Sequence, residues 1–244
     1  MTLRAVVRSV SELCITIGVL IVLFVVYLLY WTGIRADNAS DGEIERLQDS
    51  WAQGPVGQDG SKGSNGSEDT ANTAAGDPGS RAYEDGKSFA VMYIPRFGRD
   101  WSRPVLQNTA EGTLRKGLGH YPRTSRLGEK GNFAVAGHRR TYGDPFKDFP
   151  ALRPGDPVVV TDGRTWYTYT VTRRPYRTLP SDTGVLDTVP EPLDPAAAPF
   201  REAGRYLTLT TCDPEWGSSH RLIAWARLDG TRPAAEGKPA ALRR

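Results

Sequence analysis

The chain is 244 residues long, with a formal net charge of +3, 26 glycines, 18 prolines and two cysteines; that length allows one or two domains. The small basic excess hides an asymmetry: residues 88–229 hold 20 Lys/Arg against 15 Asp/Glu, whereas residues 36–87 hold 4 against 11. There is no Lys/Arg run and no interleaving of basic with aromatic residues, which argues against a nucleic-acid partner, and no repeat of solenoid type.

Residues 13–31 form a 19-residue stretch without a charge. As a helix rising ~1.5 Å per residue it spans about 28 Å, enough for a bilayer core. Arg4 and Arg8 precede it; Arg35, Asp37, Asp41 and Glu43 follow. The positive-inside rule therefore predicts a single pass through the plasma membrane, with residues 1–12 cytoplasmic and the rest outside. Tyr27, Tyr30 and Trp31 suit the outer interface. The competing reading is a cleaved signal peptide, whose apolar region is usually about 7–15 residues before a small-x-small site. This stretch is longer and ends in Tyr-Trp, which favours a retained anchor. Cys14 lies at its inner end, reads as a small apolar residue, and is on the wrong side to pair with Cys212.

Residues 32–87 read as an extracytoplasmic linker. Within it, 41–51 suits a short helix. Residues 54–86 are rich in Gly, Ser, Asn, Asp and Ala, and predict a disordered spacer. From Ser88 the texture becomes that of strands: 89–94 stopped by Pro95, 133–136, 157–161, 166–172, 206–211 and 221–228. Asp162-Gly163 supplies a turn, so 157–161 and 166–172 read as a hairpin. Many short strands with weak helical periodicity predict an all-β domain over 88–229, a closed or nearly closed barrel. Residues 230–244, with prolines, alanines and terminal arginines, read as a disordered tail.

Cys212 is the only cysteine outside the apolar stretch. Beyond a membrane, cysteines usually pair; an unpaired thiol there is a liability unless its reactivity is used. A thiol is a good nucleophile only as thiolate, which nearby cations favour. Acyl transfer also needs a proton donor for the leaving amine and a positive group for the oxyanion. His138, just past the end of strand 133–136 and preceded by Gly137, and Arg221, nine residues after Cys212, are the candidates. If the strands flanking that loop are neighbours, the chain returns Arg221 beside Cys212.

Thr208-Leu209-Thr210-Thr211-Cys212 matches the Thr-Leu-x-Thr-Cys signature of sortases. Ser219-His220-Arg221-Leu222-Ile223 and Ala136-Gly137-His138-Arg139 resemble the family's arginine and histidine segments. Gly119-His120-Tyr121-Pro122 and the run from His138 to Phe146 look like class E, the housekeeping group of high-GC Gram-positive bacteria. The resemblance covers roughly residues 89–228. It implies an eight-stranded sortase-type β-barrel with short helices and cysteine transpeptidation without a cofactor. Cys212 would be the nucleophile, His138 the general acid/base and Arg221 the stabiliser of oxyanion and substrate. Sortases cleave a sorting signal on secreted proteins between Thr and Gly through a thioacyl enzyme, and an amine then releases a new amide. Class E resemblance implies a Leu-Ala-x-Thr-Gly signal rather than Leu-Pro-x-Thr-Gly, with a peptidoglycan precursor, lipid II, as the amine.

The same resemblance points to Tyr121 as a substrate contact, its ring packing on a small residue and its hydroxyl bonding substrate backbone. Thr211 is read as a substrate-binding candidate, through its backbone N–H or by ordering the Cys212 strand. His120 could merely shape a wall, and strand alternation turns His220 away from Arg221. The Pro-rich connection 178–200 matches the loop that walls the sortase signal groove, with Leu179, Val185, Leu186 and Val189 as candidate lining residues. A cysteine hydrolase could carry identical residues, and only amine dependence would separate it. A non-catalytic barrel binding cell-wall peptides would leave the three residues' co-occurrence unexplained. The Ser-His-Gly-Cys run expected of a cell-wall cross-linking enzyme is absent. One Cys and three scattered His lack metal-ligand spacing, and no nucleotide-binding glycine motif is present. Calcium held by Asp/Glu oxygens is left open.

Overall fold

The computed structural model describes residues 3–53 and 83–243. Its β-branched and aromatic runs form strands β1 (Ser88–Tyr93), β2 (Ser102–Gln107), β3 (Leu118–His120), β4 (Gly131–Ala136), β5 (Pro157–Thr161), β6 (Thr165–Val171), β7 (Tyr176–Thr178), β8 (Arg205–Asp213) and β9 (His220–Pro233). The hydrogen-bonded order is β6-β5-β1-β2-β3-β4-β8-β9, and β9 returns to β6. Eight strands thus close the expected barrel, which removes free sheet edges. The ninth, β7, pairs with the start of β9 beside the ring. Most neighbours are antiparallel; β2–β3 and β4–β8 are parallel.

Side-chain alternation divides β9 between two cores. Leu222, Ala224 and Ala226 face inward with Met92, Phe133, Val135, Phe146, Phe149, Leu207 and Leu209. Ile223 and Trp225 face outward and are covered by Val185 and Leu186 from the Pro-rich connection. That connection is therefore packed against the sheet by its own apolar residues. It includes a 3-10 turn at Thr183–Leu186 and another at Pro195–Ala197.

The N-terminal apolar segment lies in α1 (Leu3–Ala52), a single 50-residue helix. Its candidate membrane span, Val6–Tyr27, begins earlier than residue 13 and is fully exposed. The short helix read over 41–51 is the far end of α1 rather than a separate element. Ser40, Glu43 and Leu47 are buried and Trp51 half-buried, a spacing that gives one face against the barrel. Ser88 Oγ donates to Glu43 at 2.9 Å, and Arg103 donates to Asp37 at 3.1 Å. Residues 54–82 of the proposed spacer lie outside the described residues. After them Tyr83 stacks on Phe89, ring centres 3.7 Å apart.

The tail also differs from the expectation of disorder from residue 230. Residues 230–233 continue β9, because β6 pairs with it as far as Thr165 opposite Pro233. Short turns follow at Ala234–Glu236 and Ala240–Leu242, and Lys238 and Leu242 meet Ile44 and Gln48 of α1 across a cavity.

Candidate active site

Strand register assembles the site. In the antiparallel pair β8–β9, Cys212 stands directly opposite Arg221, so their Cβ atoms lie about 4.5–5.5 Å apart on one face. In the parallel pair β4–β8, Gly131 faces Arg205 and Ala136 faces Thr210 without a register shift. Carried two residues further, that register sets His138 beside Cys212 and Arg139 beside Asp213. Gly137 locks the alignment. Its N–H donates to the Thr210 carbonyl at 3.1 Å and its carbonyl accepts from Thr211 Oγ1 at 2.8 Å. A Cβ at Gly137 would come within 2.7 Å of Leu118 and Phe146, so only glycine allows this close approach.

Just past the pair, Asp213 accepts from Arg139 at 2.5 Å and from Arg177 at 2.6 Å. Glu215 pairs with Arg140, whose guanidinium also lies 5.1 Å from the Trp216 ring centre. The loop after Cys212 is thus tied by charge to the loop after His138. Burial pushes the Asp213 carboxyl up, but Arg177 and Arg139 outweigh it and hold it below the usual carboxylate range.

His138 and Cys212 line one cleft of about 290 Å³ with Arg139, Arg140, Thr141, Glu215, Trp216 and Gly217. The His138 ring lies 5.1 Å from Tyr142, tilted, and its Nε2 is buried without a hydrogen-bond partner among the described residues. Burial lowers its pKa; Glu111 opposes that shift and Arg115 adds to it. Burial thus disfavours the charged imidazolium in the resting site. Arg221 donates through Nη1 to the carbonyls of Ser218 and His220, both at 2.9 Å, which fixes its fork and leaves other N–H groups to point elsewhere.

Tyr121 follows β3, and its N–H donates to the Ala134 carbonyl. Its hydroxyl is 2.9 Å from Thr210 Oγ1. Burial raises the phenol's pKa; Thr210 and Arg221 oppose this, and Cys212 adds to it. A second cavity of about 210 Å³ is lined by Tyr121, Thr210, Arg221, Leu179, Val185 and Leu186, among others. It flanks the Cys212–Arg221 pair on the side of the Pro-rich connection. Of the four apolar residues read as its candidates, Leu179, Val185 and Leu186 line it.

The structure therefore brings Cys212, His138, Arg221 and Tyr121 to one end of the barrel. Thr211 does not reach either cavity with its side chain: it is buried and bonded to Gly137. His120 faces the core, where Nδ1 is 2.7 Å from Gln107 Oε1 and the ring stacks on Phe133. His220 pairs with Arg177 at 2.9 Å. Sequence reasoning missed Thr210, Tyr142, Trp216 and the Asp213 clamp. Their only sequence signal is adjacency to Cys212 or His138.

Comparison with known proteins agrees with this layout. A family model described as "Sortase domain" matches residues 92–229. Sortase SrtE1 of Streptomyces coelicolor is 37% identical over 242 residues, covering 96% of this chain and 60% of its own length. The chain thus spans about three fifths of that relative. The structure of sortase E from Streptomyces avermitilis is 61% identical with a TM-score of 0.60, over 66% of this chain and 100% of that one. Sortase E1 from Streptomyces coelicolor, solved with a tripeptide in the active site, is 37% identical with a TM-score of 0.59, over 64% and 97% respectively. A domain match running the length of the barrel, with 61% identity to a solved sortase E, places this chain in the sortase family.

Proposed function

We propose that the chain is a membrane-anchored cysteine transpeptidase. It cleaves a Leu-Ala-x-Thr-Gly-type signal between Thr and Gly and transfers the secreted protein to the amine of a peptidoglycan precursor, lipid II. The observation that supports this best is the double register that sets Cys212 beside His138 on one strand and Arg221 on the other. The uncharged stretch 13–31, preceded by Arg4 and Arg8 and followed by Arg35, Asp37, Asp41 and Glu43, supports an anchor with the barrel outside.

In the proposed reaction the Cys212 thiolate attacks the Thr carbonyl carbon while His138 carries the proton. Arg221 donates to the oxygen that gains charge, an interaction stronger in the tetrahedral state than in the ground state. The C–N bond breaks, and His138 gives its proton to the leaving Gly amine. The thioacyl enzyme remains until an amine attacks, His138 takes the amine's surplus proton, and Cys212 leaves. Tyr121 and the apolar wall of Leu179, Val185 and Leu186 hold the signal on the Arg221 side. Thr211 acts by ordering β8 against Gly137.

The test uses the full chain in detergent with Leu-Ala-x-Thr-Gly and Leu-Pro-x-Thr-Gly peptides, with and without triglycine, beside Cys212→Ala. Mass spectrometry should show a thioacyl adduct and a new amide, both lost in Cys212→Ala, with the Leu-Ala peptide preferred. Release of free acid regardless of amine would replace this reading with a hydrolase. No adduct with either peptide from folded protein would end it.

A further inference from the structure

A histidine that shuttles a proton needs its ring held at one angle, and a hydrogen bond to the second ring nitrogen usually does this. His138 lacks that support: among the described residues neither of its ring nitrogens has a hydrogen-bond partner. The imidazole is met instead by the ring of Tyr142, with centres 5.1 Å apart and planes tilted by 43°. Tyr142 is half-buried and stands four residues beyond His138, in a turn of uncommon backbone conformation.

Thr141, Tyr142, Gly143 and Asp144 all have positive φ, at 73°, 50°, 79° and 48°. Left-handed backbone brings Cβ against a carbonyl oxygen, so L-residues avoid it, and β-branched ones such as Thr141 most of all. Four in a row persist only where the surroundings over-determine them. Two backbone bonds close the loop: the Asp144 N–H donates to the Thr141 carbonyl at 3.1 Å, and the Phe146 N–H to the His138 carbonyl at 3.0 Å. Phe146 is fully buried in the barrel. Three arginines clamp the turn from outside. Arg103 donates to the Gly143 carbonyl at 3.1 Å and Arg140 to Asp144 at 3.2 Å, while the Arg115 guanidinium lies 5.0 Å from the Tyr142 ring centre. Arg103 is itself held by Asp37 of α1 at 3.1 Å, and Arg115 is paired with Glu111.

We infer that Tyr142 is the positioning residue for His138: the left-handed turn 141–144 lays its ring against the imidazole, where a hydrogen-bonded carboxylate would otherwise orient the base. The inference deepens the transpeptidase reading and rests on it. The hand of the turn sets where the Tyr142 ring points, which gives the strained backbone a purpose that a relaxed loop would not serve. A ring contact restricts the tilt of the imidazole without occupying either nitrogen. Both nitrogens stay uncommitted while protons pass between Cys212, the leaving amine and the incoming amine. Arg103 acts through the turn and not on the base, since it bonds Gly143 rather than His138. Through Asp37 the same arginine ties the turn to α1.

The test compares wild type, Tyr142→Leu, Tyr142→Phe, Arg103→Gln and the Tyr142→Leu/Arg103→Gln double variant as full-length protein in detergent, with the Leu-Ala-x-Thr-Gly peptide and triglycine. Tyr142→Leu keeps apolar bulk but not the ring. It should lower kcat about tenfold, because a misaligned base costs rate and not binding, with the peptide KM and half-saturating triglycine held within about twofold. Tyr142→Phe, which keeps the ring, should recover most of that loss. Arg103→Gln should lower kcat roughly threefold alone and add nothing to Tyr142→Leu. An unchanged kcat in Tyr142→Leu, or a loss carried by KM or by triglycine saturation, would overturn the inference; additive losses would overturn the part given to Arg103. A second readout needs no activity. The chain has three histidines, so carbon-13 relaxation of labelled imidazoles, with the His138 signal identified by its loss in His138→Asn, reports the order of that ring. The order should fall in Tyr142→Leu and hold in Tyr142→Phe, and equal order in all three proteins would overturn the positioning. Absence of thioacyl enzyme from wild type would overturn the transpeptidase reading, and the ring order would still decide whether Tyr142 holds His138.

Discussion

His120 and His138 sit at the ends of adjacent strands and share little else. His120 is enclosed by Phe89, Phe133 and Tyr83 and bonded to Gln107, Thr124 and Ser125. Burial pushes its pKa down to about 4. His138 is less enclosed, and its Nε2 has no hydrogen-bond partner among the described residues. The buried His120 makes a prediction with a definite sign. Its folded pKa lies below the unfolded value of 6.5, so between the two the unfolded chain binds the extra proton. Stability is then fully present above pH 6.5 and falls as pH drops toward 4, by at most about 1.4 kcal/mol per pH unit. Urea titrations at pH 7 and pH 5 should show that loss in wild type, and a shallower one, by roughly 1 kcal/mol per unit, in His120→Gln. Equal pH slopes for the two proteins would mean that His120 keeps its ordinary pKa.

Six strands were legible because each is a run of β-formers, several of them stopped by Pro, Gly or Asp. The three that were not have physical reasons to hide. β2 carries Pro104 in its interior, and that residue pairs opposite Val91. β3 and β7 are three residues each, too short for alternation to register. Cys212, His138 and Arg221 could be singled out because motif and chemistry coincide on them. The Asp213 clamp could not, since nothing in the sequence says that Arg139 and Arg177, 38 residues apart, converge on one carboxylate. Asp213 is the charge that holds the ends of β4, β7 and β8 together. Its depressed pKa means that it contributes stability above the ordinary carboxylate value of 3.8, lost as pH falls through the folded value. Asp213→Asn should lower the melting temperature at pH 7 by about 2–4 °C, and the gap to wild type should begin to narrow as pH falls below 3.8. A gap that persists unchanged below that pH would show that the ion pairs are not its cause.

Helix α1 and the barrel are joined by packing as well as by the chain. The sequence predicts a linker over 32–87 with a short helix at 41–51, and does not show that this helix continues from the apolar segment and docks on the barrel. Yet Ser40, Glu43, Leu47 and Trp51 repeat at helical spacing, and the barrel supplies Ser88, Lys116 and Gly163 to meet them. Leu47 is 8% exposed, the one Leu of this docked stretch with nearly all its surface against the protein. Burying a leucine contributes about 1.5–3 kcal/mol, and most of that would fall on the helix–barrel contact rather than on the barrel, whose core lies elsewhere. Leu47→Asp should therefore free the outer part of α1 without unfolding the strands. Hydrogen exchange on the full-length protein would read this directly: amides of residues 40–52 should exchange roughly tenfold faster or more, while those of β4, β8 and β9 keep their protection. Uniform acceleration in all segments would mean that helix and barrel unfold as one unit. No change anywhere would mean that the outer helix does not depend on the barrel. The docked stretch fixes the end of α1 against β1 and β2, so the direction in which the apolar part of the helix leaves the barrel is set by packing.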